Sequence, residues 1–417
     1  MRVLYGHCCR FQVLWAALAV SMTIGFTIQL FGVSFQKRAS VSQLPPTPWA
    51  PPLPKAEQEE AEGRPGHRCQ PRRHLVFLKS HKTGSSTIIN LLHRFGDARG
   101  LRFALPARYQ FSYPNLFQAR RVKGWHPRGR PFDILCHHMR FNLPEVQKVM
   151  PPDSFYFSIV RHPVSLAESA FSYYRSVVPA FRRAGTLPQF LASPQRFYRP
   201  SERGNHYARN LLWFDFGLDP PAAPGLAPIQ AALAMLEHTF HLVLLTEHMD
   251  ESLVLLRDAL CWGEEDILAF RHNFRSPESV RPLAPVEAAR LQAWNNLDWH
   301  LYTHFNRSFW ERAERFGRAR LAQEVDALRQ RRAERMQQCL QGGGPLEAGQ
   351  IADERIRPFQ FGQAPILGYV LRPSLDPEWQ ALCQRMVTPE LQYKDLLDAK
   401  QFPPPPQGNG SQAGGVR

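Results

Sequence analysis

Four short apolar runs, rich in residues that favour strands, constrain the fold of this 417-residue chain most strongly. They lie at 74–79 (HLVFLK), 132–138 (FDILCHH), 154–160 (SFYFSIV) and 241–247 (HLVLLTE). Segments with helical character separate them, and this alternation is typical of α/β proteins with parallel strands. We therefore predict an α/β fold with a central, mostly parallel sheet flanked by helices.

Helices are expected directly after three of these runs, at 86–95, 165–176 and 250–260. A further helical segment is predicted at about 309–336, where apolar residues recur at helical spacing. Its many arginines would form a solvated face beside the core. The globular body is therefore expected to begin at Cys69 and to end near residue 396.

The N-terminal part of the chain has a different character. Residues 11–33 carry no charge over 23 positions, enough for a helix to span a bilayer core of about 30 Å. The stretch is longer than the apolar segment of a signal peptide, roughly 7–15 residues, and no clear cleavage site follows it. We predict a cytosolic tail at 1–10, a transmembrane signal-anchor at 11–33, and a stem rich in proline and glutamate at 34–68.

The body that follows the stem is predicted to be lumenal. Lysine and arginine flank the anchor equally on both sides, so they do not set its orientation. Glycosylation sequons at Asn306 and Asn409 favour a lumenal body, as in a single-pass type II membrane protein. The predicted organisation is completed by a lumenal domain at 69–396 and a disordered tail at 397–417.

Five cysteines follow the anchor, and no pair of them has the spacing of zinc ligands. We therefore expect one or two disulfides in an oxidising lumen, and no metal site. The odd count leaves a free thiol or a bridge between chains, so a homodimer stays open. The five are Cys69, Cys136, Cys261, Cys339 and Cys383.

The charge balance indicates an anionic partner. The chain has 51 Lys and Arg against 36 Asp and Glu, a net charge of +15. Such a surplus favours phosphate- or sulfate-bearing molecules, membrane headgroups or nucleic acid. Nucleic acid is disfavoured, because the chain has no arginine-rich block with interleaved aromatics and no zinc-finger spacing.

The turn after the first strand run, LKSHKTGSST at 78–87, is dense in hydrogen-bond donors. A strand, this turn and a helix would form a phosphate-binding loop, with backbone N–H groups of the helix N-terminus directed at an anion. Gly84 would permit close approach and Lys82 would supply charge. The chain has no Walker A motif. The turn alone fits an ordinary N-capped helix equally well.

A second strand–turn–helix segment, FSIVRHPVSLAESAFSYYRS, favours the phosphate interpretation. Arg161 ends the strand, and Ser169 lies on the first turns of the helix that follows. Ligands of open α/β sheets bind at this edge, so Arg161 and Ser169 are predicted to hold a further phosphate. Two such turns on one sheet suggest a nucleotide that is phosphorylated at both ends.

These motifs resemble those of a known family. FLKSHKTGSST and IVRHPVSLAESAFSYY are similar to the 5′-phosphosulfate loop and the 3′-phosphate motif of sulfotransferases that use 3′-phosphoadenosine 5′-phosphosulfate (PAPS). More narrowly, the chain resembles the Golgi galactose 3-O-sulfotransferases. The segments that carry this likeness are CHHMRF, HYARNLLWFDFG, FHLVLLTEHMDESLVLLRDALCW, FNRSFW and ILGYVL.

The resemblance covers most of the chain from Cys69 to about residue 396, together with the anchor and the stem. It implies a P-loop-like α/β fold, a Golgi membrane location, and transfer of sulfate from PAPS to the 3-hydroxyl of terminal β-galactose on glycoprotein or glycolipid glycans. One departure is His162, where many sulfotransferases carry an aspartate that orients the turn. The donor-binding residues it implies are Lys79, Thr83, Gly84, Ser85, Ser86, Thr87, Arg161 and Ser169.

Sulfuryl transfer to a sugar hydroxyl needs a base, and histidine suits that role near neutral pH. CHHMRF ends a predicted strand and resembles the His-x-x-Phe element of the uronosyl 2-O-sulfotransferases, with His138 and Phe141 at the matching positions. We therefore predict His138 as the base, with His81 of the phosphate loop as its rival. Lys82 would neutralise the leaving 5′-phosphate, and no metal is required.

The sequence does not determine which residues recognise the acceptor, and three alternative functions have to be considered. A lumenal kinase or NTPase is disfavoured, because Walker A and DFG-type motifs are missing from the sequence. A glycosaminoglycan 2-O-sulfotransferase would share the loop and the base. A glycan-binding protein without catalysis would be expected to lack Lys82, Arg161 or Ser169, which are present. Candidate galactose contacts are Tyr173, Tyr174, His206, Tyr207, Arg209 and Asn210.

Overall fold

The computed structural model of the chain describes residues 69–223, 225–362 and 365–404. The predicted cytosolic tail, anchor and stem and the sequon at Asn409 lie outside these residues. Within the described ranges, no helix has both the length and the apolar character needed to cross a bilayer.

Five parallel strands form the central sheet, in the order β2-β3-β1-β4-β5. Two further strands, β6 and β7, pair antiparallel in a separate ribbon. All residues of the five sheet strands are buried, which explains why their sequences are apolar throughout instead of alternating. The strands are β1 (Leu75–Leu78), β2 (Phe103–Ala104), β3 (Ile134–Leu135), β4 (Phe155–Val160), β5 (Leu242–Leu245), β6 (Leu346–Glu347) and β7 (Leu367–Gly368).

The predicted α/β architecture with a central parallel sheet is confirmed, and each of the four predicted runs contains a strand. Strand β2 and the β6–β7 ribbon were not predicted. Each of these three strands has two residues, too few to form a recognisable apolar run.

The helices that surround the sheet are α1 (Ser85–Ala98), α2 (Leu143–Val146), α3 (Pro163–Tyr174), α4 (Pro179–Ala184), α5 (Leu187–Ala192), α6 (Pro194–Phe197), α7 (Leu211–Asp215), α8 (Ala227–Thr239), α9 (Met249–Leu260), α10 (Glu264–Ile267), α11 (Pro285–Trp294), α12 (Asn296–Phe316), α13 (Arg318–Cys339), α14 (Pro377–Val387) and α15 (Glu390–Gln401). Short 3₁₀ turns lie at Ala119–Arg121, Asn205–Ala208, Thr246–His248, Pro277–Ser279, Gln341–Gly343 and Ala348–Gln350.

The segment at 309–336 is not one helix, as the sequence predicted, but parts of two. Gly317 separates α12 from α13 with φ 96° and ψ 113°, a conformation that only glycine adopts readily. The arginines of α13 form a largely solvated face, as expected, and Arg329 is exposed. Arg329 and Arg332 both donate hydrogen bonds to the Asp250 carboxylate at the start of α9.

The C-terminal boundary differs from the prediction as well. Helix α15 continues through residues 397–401, which were assigned to a disordered tail. Leu397 is buried, and the Gln401 side chain hydrogen-bonds both the N–H and the carbonyl of Phe103 in β2. The domain therefore includes these residues because α15 covers the edge strand.

Helix α1 lies close against the sheet because Gly96 has no side chain. A Cβ atom at this position would come within 2.4 Å of the Phe103 ring and 2.8 Å of the Ile134 side chain. The helix that follows the donor-rich turn is therefore held directly against β2 and β3.

The strand order determines where a ligand can bind. From the central strand β1 the chain first builds β2 and β3 on one side, and then crosses to β4 and β5 on the other. This change of direction lies at the carboxyl ends of β1 and β4, the position at which open α/β sheets bind ligands. Both predicted anion-binding turns begin there.

Two disulfides stabilise the fold, as predicted. Cys69 is bonded to Cys261 at the end of α9, with Cα atoms 5.8 Å apart. Cys339 is bonded to Cys383, which ties the end of α13 to α14 at a Cα separation of 5.3 Å. Cys136 is a buried free thiol. Among the described cysteines, none is therefore exposed and available to link two chains.

Removal of the Cys69–Cys261 bond should lower the free energy of unfolding by about 2–5 kcal/mol, because the bond restricts the unfolded chain. Urea unfolding without reductant would measure this for Cys69→Ser, Cys261→Ser and the double variant. The three losses should be nearly equal, since the second substitution removes a thiol already left free by the first. Additive losses would contradict the bond.

Candidate active site

The turn after β1 has the geometry of an anion-binding loop. Lys82 and Gly84 both have positive φ, 59° and 71°, so the chain turns sharply before α1 begins. Gly84 is the N-cap residue of α1, and no side chain caps that helix. The alternative of an ordinary Ser- or Thr-capped helix is therefore not supported by the geometry. The first turn of α1 keeps backbone N–H groups for an anion.

The hydroxyl groups of the turn have separate partners. Thr83 and Ser85 both donate to the carbonyl of Ser80, at 3.1 and 2.8 Å, and so stabilise the turn itself. Ser86 donates to the Glu390 carboxylate at 2.9 Å, and Thr87 Oγ1 accepts the His272 N–H at 3.1 Å. Thr83 is fully buried, whereas the three hydroxyl residues that follow Gly84 line the adjacent cavity.

The second predicted turn directly contacts the first. Arg161, at the end of β4, donates a hydrogen bond of 3.0 Å from its guanidinium to the carbonyl of Lys82. Thr246, after β5, donates to the carbonyls of Thr83 and Val160, at 2.7 and 3.0 Å. The ends of three parallel strands are thereby joined into one surface.

Glu247 supplies a carboxylate to the turn in which His162 replaces the aspartate of many sulfotransferases. Its carboxylate accepts the backbone N–H of His162 at 2.9 Å. The turn after Arg161 is thus oriented by a carboxylate from the neighbouring strand, although the residue after the arginine is histidine. Glu247 therefore has a structural contact in this turn.

A cavity of about 980 Å³ opens at this edge of the sheet. Its volume is at the upper end of the range for small-molecule sites, roughly 300–1,000 Å³. The cavity brings together ten of the eleven predicted catalytic and donor-binding residues, and only Thr83 lies outside its lining. The ten are Lys79, His81, Lys82, Gly84, Ser85, Ser86, Thr87, His138, Arg161 and Ser169.

The electrostatic environment of the cavity is positive, and its clearest effect is on the pKa of Lys82. Burial of the ammonium, followed by repulsion from Arg161, Arg275 and Lys79, lowers the pKa of Lys82 from 10.5 to about 7, although Glu168 opposes the shift. Burial also lowers the pKa of Arg161. Positive charges that are desolvated and crowded in this way are stabilised by a bound anion.

Arg271 and Arg275 also line the cavity and were not predicted as site residues. Arg275 forms an ion pair with Glu168 of α3, and its backbone bridges to Ile366, just before β7. Both arginines lie in a loop without helical or strand periodicity. Their position depends on the β6–β7 ribbon, which sequence reasoning did not find.

His81 is oriented by a carboxylate from a distant part of the chain. Asp215, at the end of α7, accepts the His81 backbone N–H at 2.8 Å and the ring Nδ1–H at 2.9 Å. Tyr113 donates its hydroxyl to the same carboxylate at 2.8 Å. Since a carboxylate accepts but does not donate, Nδ1 of His81 carries a proton, and in the neutral ring Nε2 is the nitrogen with the lone pair.

His138 lies directly beside His81, with ring centroids 3.9 Å apart and the rings stacked. Its Nδ1–H donates to the carbonyl of Lys79 at 3.1 Å, and its Nε2 accepts from the Lys79 ammonium at 2.9 Å. Burial, with the nearby His81 and Lys79, lowers the pKa of His138 well below its usual value. Both ring nitrogens are therefore already hydrogen-bonded.

The Lys79 ammonium also faces Glu390, the first residue of α15, with an N···O distance of 3.3 Å. The same Glu390 oxygen accepts the hydroxyl of Ser86 in the first turn of α1. The Glu390 carboxylate therefore contacts Lys79 and Ser86, two residues that are predicted to bind the sulfate donor. Neither Asp215 nor Glu390 carries a local sequence signal, because each reaches the site from far along the chain.

The predicted acceptor contacts divide into two groups. Tyr173, Tyr174 and Tyr207 line the cavity, and the rings of Tyr174 and Tyr207 stack at 4.2 Å. The other three lie outside the lining: His206 stacks on Phe214, Arg209 lies over the Trp294 ring, and the Asn210 side chain accepts the N–H groups of Leu297 and Asp298. Only the tyrosines are therefore positioned to touch a ligand.

The first sequon lies on a helix rather than on a loop. Asn306 is half-buried in α12, and the Ser308 hydroxyl donates to Glu237 of α8. Glycosylation at Asn306 stays a prediction, as does glycosylation at Asn409.

Comparison with known proteins identifies the family of the chain. A family model described as Galactose-3-O-sulfotransferase matches residues 14–401. The chain is 49% identical to galactose-3-O-sulfotransferase 4 of Homo sapiens, over 94% of each chain. It is 52% identical to galactose-3-O-sulfotransferase 2 of Homo sapiens, over 81% of this chain and 86% of the relative. It is 41% identical to galactosylceramide sulfotransferase of Homo sapiens, over 92% and 93%. The chain therefore belongs to the galactose-3-O-sulfotransferase family.

Proposed function

We propose that this protein transfers sulfate from PAPS to the 3-hydroxyl of terminal β-galactose on glycoprotein or glycolipid glycans. The observation that carries the proposal is the direct contact between the two anion-binding turns, through Arg161 and the Lys82 carbonyl, at one cavity. Family membership supports the reaction type. The aromatic wall beside His81 supports a sugar acceptor.

The cavity fits a donor with phosphates at both ends. The uncapped first turn of α1 and Lys82 would hold the 5′-phosphosulfate, whereas Arg161 and Ser169 would hold the 3′-phosphate. The cavity volume, about 980 Å³, leaves room for a sugar beside the nucleotide. PAPS supplies an activated sulfuryl group, and the protein's residues position it and neutralise its charge.

His81 is the base that the contacts favour, although the sequence pointed first to His138. The Asp215 carboxylate orients the His81 ring and stabilises the imidazolium that forms, as carboxylates do beside catalytic histidines. His138 Nε2 would be free to accept a proton only after Lys79 turns away from it. We therefore assign proton abstraction to His81 and a positioning role to His138.

The proposed reaction is an in-line displacement. The galactose 3-oxygen forms a bond to sulfur while its proton passes to His81 Nε2, and the bond between sulfur and the 5′-phosphate oxygen breaks. The bonding electron pair leaves with that oxygen, which becomes part of 3′-phosphoadenosine 5′-phosphate. Lys82, in its protonated form, stabilises the charge that develops on the leaving oxygen.

The proposed acceptor surface consists of Tyr173, Tyr174 and Tyr207, three of the five tyrosines that line the cavity. The Tyr207 ring lies 5.2 Å from the His81 ring, measured between centroids. Aromatic walls with a few polar groups are typical of small-molecule sites, and they place a sugar hydroxyl next to the base. Tyr173 stacks against the Lys82 ammonium at 3.5 Å, so the wall continues to the donor loop.

The proposed location is the Golgi membrane, with residues 11–33 as a type II anchor and the catalytic domain in the lumen. The uncharged stretch of 23 residues supports the anchor. The two disulfides support an oxidising compartment.

Incubation with radiolabelled PAPS should transfer label to galactose-terminated glycans, because the proposed site combines a donor cradle with a base beside a sugar surface. The matched control is the same galactoside without its 3-hydroxyl, which should stay unlabelled, and linkage analysis should place the sulfate at position 3. Labelling of uronic acid chains instead would indicate a 2-O-sulfotransferase. Binding of 3′-phosphoadenosine 5′-phosphate without any transfer would contradict the catalytic proposal.

His81→Ala and Asp215→Asn should each lower kcat by about 10²–10⁴-fold while KM for donor and acceptor changes little, because the base and its orientation are lost. The exposed His238→Ala is the control and should keep wild-type kcat. Circular dichroism would verify that each variant is folded. A large kcat loss in His138→Ala, with His81→Ala near wild type, would return the base role to His138.

Donor affinity should fall as pH rises above 7, because Lys82 must be protonated to bind phosphate and its pKa in the free protein is about 7. The bound anion is expected to keep Lys82 protonated, so binding above pH 7 takes up a proton. The affinity for 3′-phosphoadenosine 5′-phosphate should therefore drop about 50-fold between pH 7 and pH 9. Calorimetry would measure this. The drop should vanish in Lys82→Met and persist in the exposed control Lys148→Met; an unchanged drop in Lys82→Met would contradict the assignment.

A further inference from the structure

A cluster of three potential metal ligands lies inside the domain, outside the lining of the cavity. His93 is on α1, whereas Cys136 and His137 directly follow β3. All three side chains are fully buried. One ligand atom from each, a histidine nitrogen or the cysteine sulfur, lies within 4.8 Å of the other two.

The two histidines of this cluster lack hydrogen bonds. Both ring nitrogens of His93 and both of His137 are buried without a partner. Buried polar atoms in native proteins are nearly always satisfied, and each unsatisfied one costs about 1–3 kcal/mol. Four orphan nitrogens on neighbouring rings therefore indicate a missing partner.

Other buried histidines of the same domain do not share this feature. His272 donates its Nε2–H to the Met386 carbonyl, at 2.8 Å, and His138 uses both nitrogens on Lys79. His81 has its Asp215 partner. Among the described histidines, only His93 and His137 have both ring nitrogens buried without a hydrogen-bond partner, whereas His206 and His304 each have one such nitrogen.

The chemistry of the cluster suits a cation of the zinc class. Neither ring is engaged by a hydrogen bond, so each has a nitrogen available to coordinate a metal ion. Imidazole nitrogen and thiolate sulfur are the ligands that Zn²⁺ prefers. Zinc–nitrogen and zinc–sulfur bonds of about 2.0–2.3 Å place tetrahedral ligands roughly 3.4–3.6 Å apart. Small side-chain rotations would bring the three ligand atoms to these separations.

Charge balance is consistent with an ion at this position. The Cys136 thiol would lose its proton on binding, as thiols do when they coordinate a metal. Two neutral histidines and one thiolate would leave a net charge of +1 on a zinc centre.

We propose that His93, Cys136 and His137 bind one Zn²⁺ ion, with a water molecule as the fourth ligand. The ion would link α1, which carries the anion-binding turn, to the segment after β3, which carries His138. Its role would be structural, because the cluster lies outside the cavity lining. The sequence predicted no metal site, since the ligand spacing becomes visible only after Gly96 brings α1 onto the sheet.

The test is the metal content of the purified full-length chain, measured by inductively coupled plasma mass spectrometry. We expect one zinc per chain in the wild type and at least a tenfold loss in His93→Gln and in Cys136→Ala. The buried His272→Gln is the matched control and should keep its zinc. A wild-type chain without zinc, zinc that persists in Cys136→Ala, or copper in place of zinc would each overturn the proposal.

Cobalt substitution gives a second measurement that does not depend on activity. Exchange of the ion for Co²⁺ should produce visible bands of a tetrahedral site and a thiolate-to-cobalt charge-transfer band in the near ultraviolet. The charge-transfer band should disappear in Cys136→Ala and remain in His272→Gln, with far-ultraviolet circular dichroism verifying the fold of each. Identical spectra for wild type and Cys136→Ala would contradict thiolate coordination.

Discussion

The parallel pairing of β1 with β4 is the interaction on which the rest of the site depends. Four residues of each strand are in register, from Leu75 opposite Phe155 to Leu78 opposite Ser158. Because parallel neighbours end at the same edge, the turns that follow them emerge side by side. Arg161 can then reach the Lys82 carbonyl, and both groups that are predicted to bind anions line one cavity. An antiparallel pairing would have placed the turns at opposite edges.

Burial gives this surface its chemical character. The cations at the strand ends are crowded and partly removed from water, which lowers the pKa of Lys82 to about 7. The same desolvation keeps His138 neutral. Carboxylates from distant segments contact the basic side chains of this surface. Asp215 accepts a hydrogen bond from His81, Glu390 faces Lys79, and Glu168 pairs with Arg275. A bound polyanion would stabilise charges that the free protein accommodates at a cost.

Much of the fold was predictable because its signals are local. The apolar runs mark four of the five sheet strands, and LKSHKTGSST marks the turn, since glycine, lysine and hydroxyl residues occur together within it. The break at Gly317 was missed because the apolar spacing continues across it, from Ala313 to Leu321. Strand β2 and the β6–β7 ribbon were missed because two residues show no periodicity, whereas the two residues of β3 lie within a longer predicted run.

The amino-acid sequence by itself determined the fold class, the two turns predicted to bind anions and ten of the residues that line the cavity, because each is encoded by neighbours along the chain. Only the tertiary structure decided how these residues are partnered. Asp215 on His81, Lys79 on His138, and His93 beside Cys136 are contacts between residues far apart in sequence. Such contacts follow from strand order and helix packing, and no local pattern contains that information.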